Sequence, residues 1–240
     1  MGSFEHRLAS GQSLAFETSS DAFFPTGTSA VLIDSIKHSG FKSGKVLDLG
    51  CGIGNVGIVL AHTGVIKPPV YASDVSANAV ELARKNYSAY GLDAVVRCGS
   101  LFEPWAGEEF DLIIDDISGV AEPAARLSPW FDNVPCDSGR DGTRLVCEVI
   151  KQAPEFLSPG GRLVFPVLSL SNCRKILDAA AERFRHVKLL GHKEWPLPKD
   201  MMQCAAELRD LAAEGLIEIT EKFGMILWST DVYVACDDDG

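Results

Sequence analysis

Short apolar runs alternate along the chain with stretches in which apolar residues recur every three or four positions. The short runs are Lys45–Leu49, Val70–Ser73, Ala94–Arg97, Phe110–Ile114, Arg162–Pro166, His186–Leu190 and Gly224–Ala235, and they predict strands. Between them, Thr28–Lys37, Asn55–His62, Ser76–Tyr90, Thr143–Leu157 and Ser171–Phe184 have the spacing of amphipathic helices. Strands separated by helices build βαβ units, and a parallel sheet covered on both faces needs apolar strands without strict alternation. The last run, FGMILWSTDVYVAC, follows the sixth strand without a crossover helix of the earlier kind, so it is expected to return antiparallel. Before it, Met202, Ala205, Leu208, Leu211 and Ala212 form one stripe, which marks a helical insertion at about 195–220, either a packing element or a lid. At 240 residues the chain is long enough for one sizeable α/β domain.

The stretch VLDLGCGIGNVG, Val46 to Gly57, ends the first of these strands and breaks into glycines. In an open α/β sheet, ligands bind beyond the carboxyl ends of the strands, where strand turns into helix. Gly50, Gly52 and Gly54 leave bare main chain there, and the helix after them offers free N–H groups. The expected fold is therefore a Rossmann-like, doubly wound, seven-stranded sheet, mostly parallel with an antiparallel last strand. A G-x-G-x-G turn serves both dinucleotides and S-adenosyl-L-methionine. Asp48, where a nicotinamide site more usually has an apolar residue, favours a sulfonium and ammonium ligand. Asp74 ends the second strand, where an acidic residue accepts both ribose hydroxyls or caps the helix starting near Ser76. Ser100 and Leu101 reach the same rim after the third strand, bonding and packing an adenine or serving as plain loop. Candidate cofactor contacts are thus Asp48, Gly50, Cys51, Gly52, Gly54, Asp74, Val75, Ser100, Leu101 and Asp115.

Asp115 and Asp116 leave the fourth strand beside the glycine loop. A carboxylate there can accept a proton from an amine or hydroxyl, or can cap a loop or meet the ammonium of a cofactor. No third ligand accompanies the pair, so no metal is expected. The segment SGVAEPAARLSPWFDNVPCDSGRDG is too long for an idle connection, and makes Ser118, Trp130 and Phe131 candidates for the acceptor site. Trp130 and Phe131 read equally as pocket walls or as plugs that anchor the loop.

A net charge of −11 argues against a broad footprint on nucleic acid or anionic membrane. The partners expected are a small-molecule or protein substrate, without nucleic acid or membrane, with a homodimer or partner subunit left open. Seven cysteines without a C-x-x-C pair indicate reduced thiols, and no run approaches the roughly 18 apolar residues of a membrane span, so a cytoplasmic protein is expected.

VLDLGCGIG, the acidic end of the second strand and SLFEPWAGEEFDLIIDD together resemble a class I S-adenosylmethionine-dependent methyltransferase, over roughly residues 22–170. Within that group FFPTGTSAVLID, LFEP before FDLII, and SGRDGTRLVCEVIKQAPEFLSPGGRLVF are similar to the HemK-type glutamine methyltransferases and their ribosomal-protein relatives. The resemblance implies one domain over 1–240 whose N-terminal segment, 1–40, covers the cofactor through Phe24, Pro25 and Ser29. It also implies that Asp48 and the glycines hold the methionine end, Asp74 the ribose, and Ser100 with Leu101 the adenine. Where that family carries Asn-Pro-Pro-Tyr, this chain has Asp116, Ile117, Ser118 and Gly119. An amide becomes a carboxylate, and two rigid prolines and a stacking ring are absent. The expected acceptor is accordingly an amine or hydroxyl of a small molecule or protein side chain, with Asp116 and then Asp115 as the catalytic groups. The alternative is a catalytically silent, cofactor-binding scaffold or regulatory subunit.

Overall fold

The computed structural model describes residues 2–20, 22–41, 44–117, 119–131, 134 and 136–238. Its centre is a sheet built from β3 (Val46–Leu49), β4 (Val70–Asp74), β5 (Ala94–Cys98), β6 (Phe110–Asp115), β7 (Leu157–Leu168), β8 (His186–Pro196) and β10 (Met225–Cys236), in the order β5-β4-β3-β6-β7-β10-β8. The pairs among β3 to β7 are parallel, and β10 runs antiparallel to both β7 and β8. A short β9 (Thr220–Lys222) adds to β10 off this path. All four residues of β3 are buried because both faces of the sheet are covered. Val46 joins Leu32, Ile33 and Ile36 of α1 (Gly27–Ser39) and Val56 and Val59 of α2 (Asn55–His62), in the cluster that also takes Val80 of α3 (Ala77–Ala89). Leu47 and Leu49 point the other way, into a cluster with Val146 and Val149 of α5 (Arg144–Gln152) and Ile176 of α6 (Cys173–Arg183).

The doubly wound, mostly parallel sheet with its antiparallel last strand is as the residue pattern predicts. Two of its strands outrun that pattern: β7 begins before Arg162 and β8 continues beyond Leu190 to Pro196. The register explains it, since Leu227 to Cys236 of β10 pair with β8 from Leu227↔Pro196 to Cys236↔His186 and carry it past the end of its apolar run. Conversely α5 stops at Gln152, and Pro154 lies in a single tighter turn, Ala153–Glu155, because a proline nitrogen has no hydrogen to extend the helix.

One further feature was not legible in the pattern. Residues 2–18 form a hairpin, β1 (Gly2–Arg7) and β2 (Ser13–Thr18), which is separate from the main sheet. The hairpin docks on α3: the Asn86 side chain accepts from Glu17 N and donates to Glu17 O, and Tyr90 Oη donates to Ala15 O. The insertion folds as α7 (Lys199–Met202) and α8 (Ala205–Ala213). Met201 and Leu208 pack with Val120, Ala124 of α4 (Glu122–Ala125), Leu170 and Trp228 in a third apolar cluster at the carboxyl end of the sheet. Among the described residues no helix is long and apolar enough to cross a membrane.

Candidate active site

β3 ends at Leu49 and the glycine turn is fastened at once to its neighbour strand: Gly50 N and Cys51 N both donate to Ser73 O at 2.9 Å. Gly50, Gly52 and Gly54 have φ of 75°, 52° and 85°, left-handed conformations that glycine adopts without penalty. A Cβ on Gly50 would stand 2.5 Å from Ile117 Cγ1, whereas a Cβ on Gly52 would meet no atom within 4 Å. Gly52 faces open space because it lines a cavity of about 630 Å³, within the usual range for small-molecule sites. The cavity runs from Ser100 and Leu101 past Val75, Asp74 and the loop to Ser29 and Asp116, and continues to Trp130, Phe131 and Trp228.

The four carboxylates of the motif fall into two pairs. Asp48 and Asp115 are wholly buried and neither lines the cavity. Asp48 lies beneath the loop, where its Oδ2 accepts from Gly57 N at 3.0 Å; a Cβ on Gly57 would approach that oxygen to 2.9 Å. Asp115 Oδ1 accepts from Ile117 N at 3.0 Å. Each retains one buried oxygen without a partner, as does Tyr87 Oη. Burial pushes both carboxyls up to about 7, each opposed by its single backbone bond. The structure therefore gives Asp48 and Asp115 to the support of the loop and the strand end, not to the cavity wall. Gly54 likewise faces Ile58 and Tyr87, each 3.1 Å from where its Cβ would be.

Asp74 and Asp116 do line the cavity. Asp74 Oδ2 accepts from Gly52 N at 2.9 Å and Oδ1 from Ser76 N at 2.8 Å, so the cap and the loop tie are made by one side chain. Burial raises its pKa against those bonds. Asp116 Oδ2 accepts from Ser29 Oγ at 2.8 Å. Its pKa lies well above the ordinary carboxylate value, first through burial and then through Asp48, Asp115 and Asp74, with the Ser29 bond opposing. Adjacent residues at a strand end face opposite ways, and here Asp116 is the one turned to the cavity.

Ser29 is held by α1, whose start is capped by Thr26 Oγ1 accepting from Thr28 N at 3.3 Å. The segment before α1 corrects one residue: Phe23, not Phe24, lines the cavity. Phe24 is 51% exposed and sets its edge against Phe4 of β1, with centroids 5.1 Å apart, so the hairpin draws it outward. Phe23 meets Phe131 at 5.4 Å, and Trp130 meets Trp228 at 5.2 Å. Trp130 and Phe131 thus act as wall and as anchor together. Ser118 lies outside the described residues. Among those described, none of 195–203 lines the cavity; Trp195 packs on Gly27 and stacks on Trp228 at 6.1 Å, buttressing the wall from behind.

Three contributors escape the sequence reasoning. Asn55, the first residue of α2, lines the cavity with a buried Oδ1 that has no partner. A polar residue straight after the third glycine was the available signal. Phe23 and Trp228 carried none, since either of two adjacent phenylalanines can face inward and a tryptophan in the last strand reads as core. No Lys, Arg or His is among the described residues lining the cavity. Bare glycine main chain, an acidic ribose-type acceptor in Asp74, the orphan Asn55 oxygen and the absence of cations suit a nucleoside with a positively charged tail, which is the chemistry of S-adenosylmethionine. Among the described residues no group of three or more His, Cys, Asp or Glu is placed to hold a metal.

Residues 21–116 match the family model of the methyltransferase small domain. The chain is 35% identical over 142 residues to a ribosomal protein uL3 glutamine methyltransferase of Bradyrhizobium diazoefficiens, covering 57% of this chain and 43% of the relative. It is 32% identical over 136 residues to a ribosomal RNA small subunit methyltransferase C of Alcanivorax borkumensis, covering 56% and 36%. A 16S rRNA methyltransferase of T. thermophilus, solved with S-adenosylmethionine and guanosine, shares the fold with a TM-score of 0.60 at 16% identity, over 99% of this chain and 50% of that one. The chain spans about half or less of the length of the curated relatives it matches.

Proposed function

We propose that this chain, whose residues 21–116 belong to the methyltransferase small domain family and whose sheet is that of a class I S-adenosylmethionine-dependent methyltransferase, transfers a methyl group to an amine or hydroxyl of a macromolecule. The observation that carries the reading is the one cavity that Asp74, Gly52 and Asp116 line together, with Gly52 N bonded to Asp74. When bound, S-adenosylmethionine supplies an electrophilic methyl carbon, to which the acceptor atom bonds as the carbon–sulfur bond breaks and its electron pair stays on sulfur. Asp74 keeps lone pairs beyond those taken by Gly52 N and Ser76 N, and these accept the ribose hydroxyls. Gly50 and Gly52 would let the methionine end lie against main chain, and the unpartnered Asn55 Oδ1 would accept from its ammonium. Val75 and Leu101 offer apolar surface to the adenine beside Ser100. Ser29 orients Asp116, which takes the proton that the acceptor loses; a carboxylate with a raised pKa is the better base when ionised.

The expectation that excluded nucleic acid on the ground of net charge is corrected by the relatives: one acts on ribosomal RNA and another on a ribosomal protein. Net charge averages the whole surface, whereas an acceptor is met by one face of it. Protein and nucleic acid therefore both stand as acceptor classes. Calorimetric titration with S-adenosylhomocysteine tests the cofactor assignment, with micromolar binding expected for the wild type and none for Gly52→Val. Unaltered binding by Gly52→Val and Asp74→Ala would sink it. Transfer of a labelled methyl group into the protein or RNA fraction of a cell extract then identifies the acceptor class.

A further inference from the structure

The acceptor end of the cavity has a definite chemistry, whose assignment to a substrate rests on the methyltransferase reading. Beyond the glycine loop the wall includes four rings, Phe23, Trp130, Phe131 and Trp228, aliphatic side chains such as Val120, Leu145 and Leu168, and the carboxylates of Asp116 and Asp137. Asp137 stands at the mouth and is exposed, and Arg144 Nη2 pairs with it at 2.5 Å, so its charge is met from outside the cavity. Asp116 has the Ser29 hydroxyl on Oδ2, and the charged groups acting on it are Asp48, Asp115 and Asp74, all acidic. No cationic side chain among the described lining residues competes for it. Ring faces attract cations, and an aliphatic stem packs well against them while its charged head reaches a carboxylate.

The geometry points to a lysine-type side chain of a polypeptide as the acceptor, its aliphatic stem between the aromatic walls and its ammonium on Asp116. Among macromolecular nitrogens, an aliphatic ammonium belongs to protein and not to the nucleic acid bases. On arrival the ammonium passes one proton to the Asp116 carboxylate, which becomes a neutral acid, and the nitrogen is left as a neutral amine with a free lone pair. Ser29 remains donor to Oδ2, so the proton enters on the other oxygen.

Binding to the protein loaded with S-adenosylhomocysteine tests this without turnover, read from tryptophan fluorescence and checked by calorimetry. The probes are N-acetyl-lysine methylamide, the norleucine methylamide that has the stem but no amine, the glutamine methylamide, and guanosine. The lysine probe is expected to bind at least about tenfold tighter than the norleucine probe, the equivalent of one charge-assisted contact. Asp116→Asn is expected to shrink that preference to about threefold or less, and Trp130→Ala to weaken lysine and norleucine probes alike. Equal binding of the two stems, tighter binding of the glutamine probe or guanosine, or no binding of any probe by protein that does take S-adenosylhomocysteine overturns the acceptor assignment alone. Failure of the wild type to take S-adenosylhomocysteine overturns the methyltransferase reading, and this inference with it.

Discussion

The glycine loop and the acceptor wall meet at Asp116, but one is made of main chain and the other of side chains brought together from far apart. In the loop, Gly50 N and Cys51 N bond Ser73 O, Gly52 N bonds Asp74, and Gly57 N bonds Asp48. Every partner lies on β3, β4 or the turn itself. The acceptor wall instead takes Phe23 from before α1, Trp130 and Phe131 from the long loop after β6, and Trp228 from β10. Behind it, Met201 and Leu208 of the insertion fill the cluster that holds Trp228 in place. A binding site of main chain tolerates little variation in residue size, since backbone must approach the ligand. A wall of side chains can be rebuilt ring by ring while the loop stays as it is. On the proposed function, the first half takes the constant ligand and the second the particular acceptor.

The comparison can be broken most sharply by pH. Asp48 and Asp115 belong to the loop half, and both have carboxyls raised from the ordinary value to about 7. Below about pH 4 folded and unfolded chains are both protonated at these groups and the stability they allow is fully present. As the pH rises the unfolded chain ionises first, so stability falls until the folded carboxyls ionise near 7, and then levels off. Ligand-free protein is expected to lose on the order of 3 kcal/mol per group between pH 5 and 8, seen as a lower urea midpoint, with Asp115→Asn removing that residue's share. Equal midpoints at the two pH values would show these carboxyls to be unshifted.

Gly52→Val comes next. A Cβ at this position enters open cavity, so cofactor affinity should drop at least about a hundredfold, while the left-handed φ of 52° costs the fold at least about 1–2 kcal/mol. Asp74→Ala removes the ribose acceptor and the bonds to Gly52 N and Ser76 N, and S-adenosylhomocysteine binding should weaken by about 10–100-fold in calorimetry. In the other half, Trp130→Ala should raise the acceptor KM by about tenfold and leave the dissociation constant of S-adenosylhomocysteine within a factor of two. A cofactor constant that moved with it would mean the two halves are not separable. The smallest effect is expected at Arg209, whose exposed bridge to Glu221 at 2.7 Å ties α8 to β9; Arg209→Ala should alter the melting free energy by no more than about 1 kcal/mol.

How far each half could be read in advance depends on its construction. The βαβ order and the bare turn after VLDL were legible because parallel strands need apolar runs and a close-approaching loop needs glycine. The hairpin over 2–18 was not, since its buried face amounts to little more than Leu14, Phe16 and Thr18 and it is tied down by Asn86 of α3 and by Tyr90, which ends that helix. The sequence pairs Asp115 with Asp116 and favours Asp116, but which of the two faces the cavity is set by the strand's orientation. The glycine motif suggests ligand contacts at Asp48 and Gly54, whereas in the fold Asp48 accepts from Gly57 N and Gly54 packs on Ile58 and Tyr87, both away from the cavity lining.

Local sequence determined the layered α/β architecture, the antiparallel final strand and the bare glycine turn beside the cavity, because hydrophobic period and glycine conformation act over a few neighbouring residues. Tertiary structure alone decided which phenylalanine turns inward, which carboxylates are buried away from the cavity, and which rings line it. Those outcomes depend on segments more than a hundred residues apart, such as Phe23 and Trp228, lining the same cavity. Their meeting is governed by strand order and register, which no short stretch of the chain contains.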